Sequence, residues 1–372
     1  MRLPRWYSQF ATLMLAIAFA VGCANAAWVP GSDEIAAMRV TVRRCPNGGT
    51  PVCARIANDG AIHLLYDLRG LPWYSVSRDN GKTFEKPICT VDPDSRKPGL
   101  EFSGADMSVN NNGHVFVAMS TNAWKLKLPQ NEWSLHYATL APGDAAFSPV
   151  RNLNDKSSQG FSLAADDRGS VAAVWLSDKL FANFSRDGGK TFSSNAEISE
   201  ECDPCPCCTT SSVFGANGDL AVLYREEGGN NRDMYVLIDH RDGRISRKRI
   251  SSTLWNIDAC PMSCFNISRA GDGYIAAWPT KGQVFFVKLD KDGNQLPPGE
   301  IATGGQAAMH EGILALAALD GETLISWAHA SRLNWQLFNA TGRPAGSEGS
   351  TIEDGKWAAG VVLADSRVVL FQ

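Results

Sequence analysis

The sequence predicts an all-β fold, a β-propeller of four-stranded blades, and three observations predict it. Turn glycines recur at a near-constant interval: Gly60, Gly113, Gly169, Gly218, Gly273 and Gly321 are separated by 53, 56, 49, 55 and 48 residues. Short runs rich in Val, Ile, Phe and Trp flank these turns, which is how strands bounded by turns read. An eight-residue pattern, Ser-x-Asp-x-Gly-x-Thr-Phe, occurs at 77–84 and again at 185–192, each time after a strand-like run (73–77 and 180–185). A rhythm near fifty residues with two turns per period and no convincing helix is what a ring of small antiparallel sheets requires.

The elements follow in order. The pairs 107–110 with 114–120, 161–165 with 170–176, 210–214 with 220–225 and 313–318 with 323–329 are expected as the first two strands of their blades. A second turn follows each first turn and joins the last two strands. In repeats one and three it is the eight-residue pattern, whose Asp accepts backbone N–H groups while its Gly supplies a positive φ. Elsewhere it is reduced to Pro142-Gly143-Asp144, Arg241-Asp242-Gly243, Lys291-Asp292-Gly293 and Ala340-Thr341-Gly342. A last hairpin, 360–371, turns at Asp365-Ser366, and an early strand at 37–44 is expected to complete its blade. Joining the termini in one blade removes the open edge. Seven blades are favoured and six are the alternative. No Pro/Ser-rich linker interrupts the rhythm, so 35–372 reads as one domain.

Residues 1–26 read as an export signal: Arg2 and Arg5 precede an apolar stretch from Phe10 to Val21 that is too short to span a bilayer. Ala20-Val21-Gly22-Cys23 fits a lipobox, which would lipidate Cys23, and Ala24-Asn25-Ala26 fits an ordinary cleavage site; both readings stay open. Either one places the mature chain in the periplasm or at the outer membrane, with lipid contact only through that anchor. The net charge of −4 argues against a nucleic-acid partner.

In an exported chain cysteines imply disulfides. Nine of the ten remain after Cys23, at 45, 53, 89, 202, 205, 207, 208, 260 and 264, and an odd number cannot all pair. A local Cys45–Cys53 staple is one expectation. Six of the other seven, all but Cys89, concentrate in two connections that lead into the first strands of adjacent blades: Cys202, Cys205, Cys207 and Cys208 in one, Cys260 and Cys264 in the other. Those connections should share one rim of the ring. Bridges between them compete with a metal site, for which thiolates select Cu(I), or Zn(II) as a structural ion. Beside them, in the loop after the second strand of repeat four, stand Arg225, Glu226, Arg232 and Asp233. These groups either pair with one another or grip an anionic ligand, because the guanidinium fork matches a carboxylate.

The twin Ser-x-Asp-x-Gly-x-Thr-Phe turns resemble the Asp-box of sialidase-like β-propellers. The combination of Cys205 to Cys208, Tyr224 to Glu226 with Arg232-Asp233, and Trp255 with Cys260-Pro261 resembles an exported bacterial branch of that superfamily. The resemblance departs at Cys264, where a Gly is expected. It implies six blades and raises sialidase chemistry, in which three arginines hold a carboxylate, a Glu-activated Tyr attacks and an Asp serves as acid/base. The motifs for that chemistry do not align: no Arg-Ile-Pro occurs, the nearest being Arg55-Ile56-Ala57, and the last tyrosine is Tyr274. The expectation is therefore an exported, non-sialidase propeller that binds a small molecule, glycan or metal through its cysteine-rich channel-mouth face, with copper, before zinc, as the metal those thiols would take. A glycoside hydrolase with displaced catalytic residues and a cell-envelope platform for protein partners are the alternatives.

Overall fold

The computed structural model describes residues 39–91, 101–122, 125–129, 133–154, 158–198, 200–318, 321–352 and 355–372. The expected export signal with Cys23, and the start of the expected 37–44 strand, lie outside them. The strands assemble into seven sheets, six of them four-stranded and built in chain order from sequential neighbours. Blade 1 is Thr50–Ile56, Ile62–Asp67, Pro72–Ser77 and Ile88–Cys89, and blade 2 is Phe102–Val109, Val115–Thr121, His136–Leu140 and Arg151–Asn152. Blade 3 is Phe161–Ala165, Val171–Leu176, Leu180–Ser185 and Ala196–Glu197. Blade 4 is Ser211–Phe214, Leu220–Arg225, Met234–Asp239 and Ile245–Arg249. Blade 5 is Asn266–Ala270, Gly273–Thr280, Gln283–Leu289 and Ile301–Gln306, and blade 6 is Ile313–Ala317, Thr323–His329, Arg332–Phe338 and Gly349–Ser350.

Blade 7 closes the ring. Ala359–Val362 and Val368–Phe371 form its hairpin, and Val40–Arg43 adds to the second of these in parallel, Val40 opposite Val368 and Arg43 opposite Phe371. The expected strand is thus present but shorter, and the blade is three-stranded among the described residues. Its parallel sense is open to it because no hairpin ties it to its neighbour. The bonds Cys45 N–H to Gln372 O and Gln372 N–H to Arg43 O, both 2.9 Å, extend the seam. The first strand of every blade touches the first strands of the blades on either side, blade 7 against blade 1 included. The ring has seven blades, and six is excluded.

The core is divided in the same way. Seven apolar clusters lie one at each blade–blade interface. Middle strands such as Val171–Leu176 and Leu220–Arg225 are buried along their whole length, because both faces of each sheet are covered by neighbours. The twin turns serve this packing. Asp187 Oδ1 accepts the N–H groups of Lys190 and Thr191 at 3.0 and 2.9 Å, its Oδ2 accepts the Thr191 hydroxyl at 2.6 Å, and Gly189 N–H donates to Ser185 Oγ at 2.9 Å. Asp79 repeats the arrangement, and these bonds, the Thr83 hydroxyl first, hold its carboxyl down at about 2. The closing aromatic of each pattern reaches the preceding blade: Phe84 against Phe371 and Phe192 against Tyr137.

Gly189 has φ +80°, and a β-carbon there would stand 2.1 Å from Tyr137 Oη; at Gly81, φ +78°, the nearest atoms of Phe371 and Val369 are 3.3 Å away. Gly189→Ala should therefore cost about 2 kcal/mol, the left-handed backbone and the overpacking acting together. Gly81→Ala should cost about half of that, for the backbone alone. Urea denaturation of both variants checks the ranking, and equal losses would refute the packing account.

Candidate functional site

The two cysteine-bearing connections meet on one rim, where the loop 226–233 joins them. The sequence folds them together through backbone bonds. Cys205 N–H donates to Arg225 O at 2.8 Å, Glu227 N–H to Asp203 O at 2.7 Å, and Arg232 N–H to Trp255 O at 2.6 Å. Pro204 bridges Glu226, and Asn231 bridges Asn256, as short antiparallel pairs. Cys205 to Cys208 form a tight turn closed by Cys208 N–H on Cys205 O, 3.2 Å.

Four sulfurs gather at this junction. Cys207 and Cys260 form a disulfide that joins the two connections, with Cα atoms 6.5 Å apart. Cys205 Sγ lies 3.5 Å from Cys207 Sγ and 3.5 Å from Cys208 Sγ. Cys205 and Cys208 are buried, whereas Cys207 and Cys260 are half-buried. Cys264 is buried close enough to Cys208 to feel its charge, and burial foremost pushes its thiol up to about 12. Cys202 stands apart: it packs with Tyr224 in the core between blades 3 and 4. Of the six cysteines expected at a metal, the structure brings Cys205, Cys207, Cys208 and Cys260 together, leaves Cys264 beside them and separates Cys202.

The Cys45–Cys53 staple is not formed. Cys45 packs between blades 7 and 1 and Cys53 between blades 1 and 2, so the two thiols face opposite sides of blade 1. Cys89 also lies between blades 1 and 2, its Sγ 3.9 Å from Pro72 O. His329 is engaged with Glu311 at 3.0 Å.

Arg225 is the hub of the junction and is fully buried. Its Nε donates to Ser263 Oγ at 3.1 Å, Nη1 to Arg232 O, and Nη2 to Pro279 O at 2.5 Å. Its guanidinium stands 5.0 Å from the Trp255 ring centroid, within cation–π range. Burial lowers its pKa to about 10, against the pull of Cys208, Cys205 and Asp233. Arg232 is spent likewise, on Ala259 O, Glu227 O and the Glu227 carboxylate at 3.2, 2.9 and 3.1 Å. Glu226 accepts Asp203 N–H at 2.7 Å and the Arg247 guanidinium at 2.6 Å. Asp233 accepts Trp255 N–H at 3.2 Å. The four residues expected to grip an anion are thus engaged with the protein, and they hold the rim together.

The charge of Arg225 reaches the thiols. Cys208 is held well below the usual thiol range, first by its hydrogen bond with Cys205 and then because Arg225 faces it. Cys205 is raised, first by that same hydrogen bond and then by burial and the charge of Cys208. Ser263 Oγ lies 3.9 Å from Cys208 Sγ and is the residue that sequence reasoning missed. Its only signal was its place between Cys260 and Cys264.

On the opposite rim, Asp219 Oδ2 meets His240 Nδ1 at 2.7 Å and His240 Nε2 meets Ser246 Oγ at 2.9 Å. With the Asp219–Arg241 N–H bond of 3.0 Å, these contacts pin two turns of blade 4. A cavity of about 160 Å³ lies nearby between blades 3 and 4, lined among others by Phe184, Arg186, Phe214 and Asp239.

No family model matches the chain, and no curated protein matches it. Solved structures do. A streptogramin B lyase is 11% identical with a TM-score of 0.54, covering 88% of this chain and 92% of that one. An ulvan lyase of polysaccharide lyase family PL25, bound to -[GlcA(1-4)Rha3S]-, is 11% identical with a TM-score of 0.53, covering 84% and 87%. A protein of unknown function from Dyadobacter fermentans is 12% identical with a TM-score of 0.51, covering 85% and 98%. At such identities the likeness extends to the propeller fold alone.

Proposed function

We propose that the protein is an exported, non-hydrolytic propeller that binds Cu(I) on its cysteine-rich rim through Cys205 and Cys208. The observation that carries this reading is the pair of buried sulfurs, 3.5 Å apart and outside any disulfide, beside the buried Arg225 guanidinium. Thiolates are soft donors that select Cu(I). Two of them on one Cu(I) leave a net negative charge, which the arginine offsets in a site sealed from water. Zn(II) is disfavoured, because a closed tetrahedral site needs four donors and the Cys207–Cys260 bond removes two. Cys264 is the third donor at hand, and Cys202 has no part. A sialidase reading would need arginine forks free to take a carboxylate, and those of Arg225 and Arg232 are spent on the protein.

The test is anaerobic Cu(I) titration in competition with a chromogenic chelator. Wild type is expected to retain one copper per chain. Cys205→Ser and Cys208→Ser should retain none, while Cys202→Ser should match wild type. Retention by a Cys205→Ser/Cys208→Ser double variant, or none by wild type, would overturn the proposal.

A further inference from the structure

We infer that the rim carries out an internal thiol–disulfide exchange, in which the buried pair Cys205 and Cys208 and the half-buried pair Cys207 and Cys260 trade one disulfide between them. Cys205 is placed for it, since its sulfur stands 3.5 Å from one member of the bond and 3.5 Å from the second thiol. Exchange advances by attack of one sulfur on a bonded sulfur through a mixed disulfide, and here each attacking atom already touches its target. Cys205 and Cys208 are also the ends of a Cys-x-x-Cys turn, Cys205-Pro206-Cys207-Cys208. The bond closing that turn keeps their Cα atoms within ~7 Å, inside the span that a disulfide bridges. Cys207 has its own partner across the loop gap, so the four sulfurs serve two alternative bridges.

The steps balance without an outside oxidant. Cys205 Sγ attacks Cys207 Sγ, the Cys207–Cys260 bond breaks, and Cys260 leaves with the electron pair and takes up the proton that Cys205 gives up. Cys208 Sγ then attacks Cys205 Sγ, the Cys205–Cys207 bond breaks, and Cys207 leaves as the second thiol, protonated in turn. The number of disulfides is unchanged. What moves is the dithiol, from two fully covered positions to two half-buried ones at the rim, where a partner's disulfide or a thiol-seeking ion can meet it. The inference stands apart from copper binding, and its test uses metal-free protein.

The two loops fall on different tryptic peptides, 191–225 and 250–269, so the two bridges are told apart by mass. Folded protein is held at neutral pH with N-ethylmaleimide, sampled over time, acidified and mapped. The alkylating agent drains whichever thiols reach the surface. Label should accumulate equally on Cys207 and Cys260, with a matching gain of a Cys205–Cys208 link inside the first peptide. In Cys208→Ser the relay should stop after its first step, with label on Cys260 alone, and in Cys205→Ser neither position should react. A wild-type link between the two peptides that survives the same exposure, with Cys205 and Cys208 labelled only there or only after unfolding, overturns the inference whether or not the variants fold.

Discussion

Arg225→Ala is expected to cost about 4 kcal/mol of folding stability, because breaking one side of a fully buried charged network leaves its partners unpaired. The side chain has no exposed surface, and its nitrogens bind acceptors in three separate segments: Ser263 in the connection into blade 5, Arg232 O in the loop of blade 4, and Pro279 O at the end of a blade 5 strand. Removing it strands two main-chain carbonyls and a hydroxyl in a space that water reaches only by opening the rim. It also removes the cation that, after the hydrogen bond with Cys205, helps hold Cys208 below the usual thiol range, so the thiolate of Cys208 should titrate at higher pH. Arg225→Lys should recover only part of the loss, since an ammonium is a point charge and cannot span three acceptors in a fork. Urea denaturation of the two variants, with thiolate absorbance followed against pH, reads both effects. A loss below ~1 kcal/mol, the scale of an ordinary surface change, would mean that the rim is held by its backbone pairs and the disulfide instead.

The ring was legible because it depends on periodicity, and periodicity is a local property of the chain. Turn glycines every fifty residues and apolar runs between them placed most of the strand pairs within a residue or two, for example Phe161–Ala165 with Val171–Leu176 and Ile313–Ala317 with Thr323–His329, although the strand expected at 107–110 begins five residues earlier, at Phe102. The same rhythm outweighed the six-blade precedent of the resemblance. The meeting of the cysteine loops was legible for a related reason, since in a propeller the order of connections decides which rim each one occupies. Side-chain direction was not legible. Cys45 and Cys53 are eight residues apart in sequence yet lie on opposite sides of one sheet, and a bulge between Pro51 and Cys53 interrupts the alternation that would have shown it. The polar groups at 225–233 illustrate the same limit. Their composition fits a ligand grip and a structural knot equally, and only the directions of the Arg225 and Arg232 donors decide between them.

The second large effect lies far from that rim and separates the acid response of the ring from that of the thiols. His63, in the second strand of blade 1, is 6% exposed and shares a 2.6 Å hydrogen bond with Tyr74 Oη. Burial, the main cause, lowers its pKa from 6.5 to about 4. The unfolded chain therefore binds a proton between these values that the folded chain refuses. The stability tied to neutral His63 is complete above pH 6.5, falls as pH drops, and is gone below about pH 4. At 1.36 kcal/mol per pH unit the loss across the window is about 3 kcal/mol. His136 and His114 are lowered by burial as well and add to the trend with the same sign, so the informative quantity is the difference between wild type and His63→Gln, which keeps a polar partner for Tyr74 but cannot titrate. The stability advantage of wild type over the variant should shrink by about 3 kcal/mol between pH 7 and pH 4. A constant difference would mean that the folded chain takes up the proton on His63 as readily as the unfolded chain does, so that burial withholds nothing. Because the Tyr74 ring that holds His63 packs towards blade 2, edge-on to Phe147 at 5.7 Å, loss of this group under acid should loosen the interface of blades 1 and 2 first, seen as early hydrogen exchange at Val115–Thr121 while blades 4 and 5 stay protected.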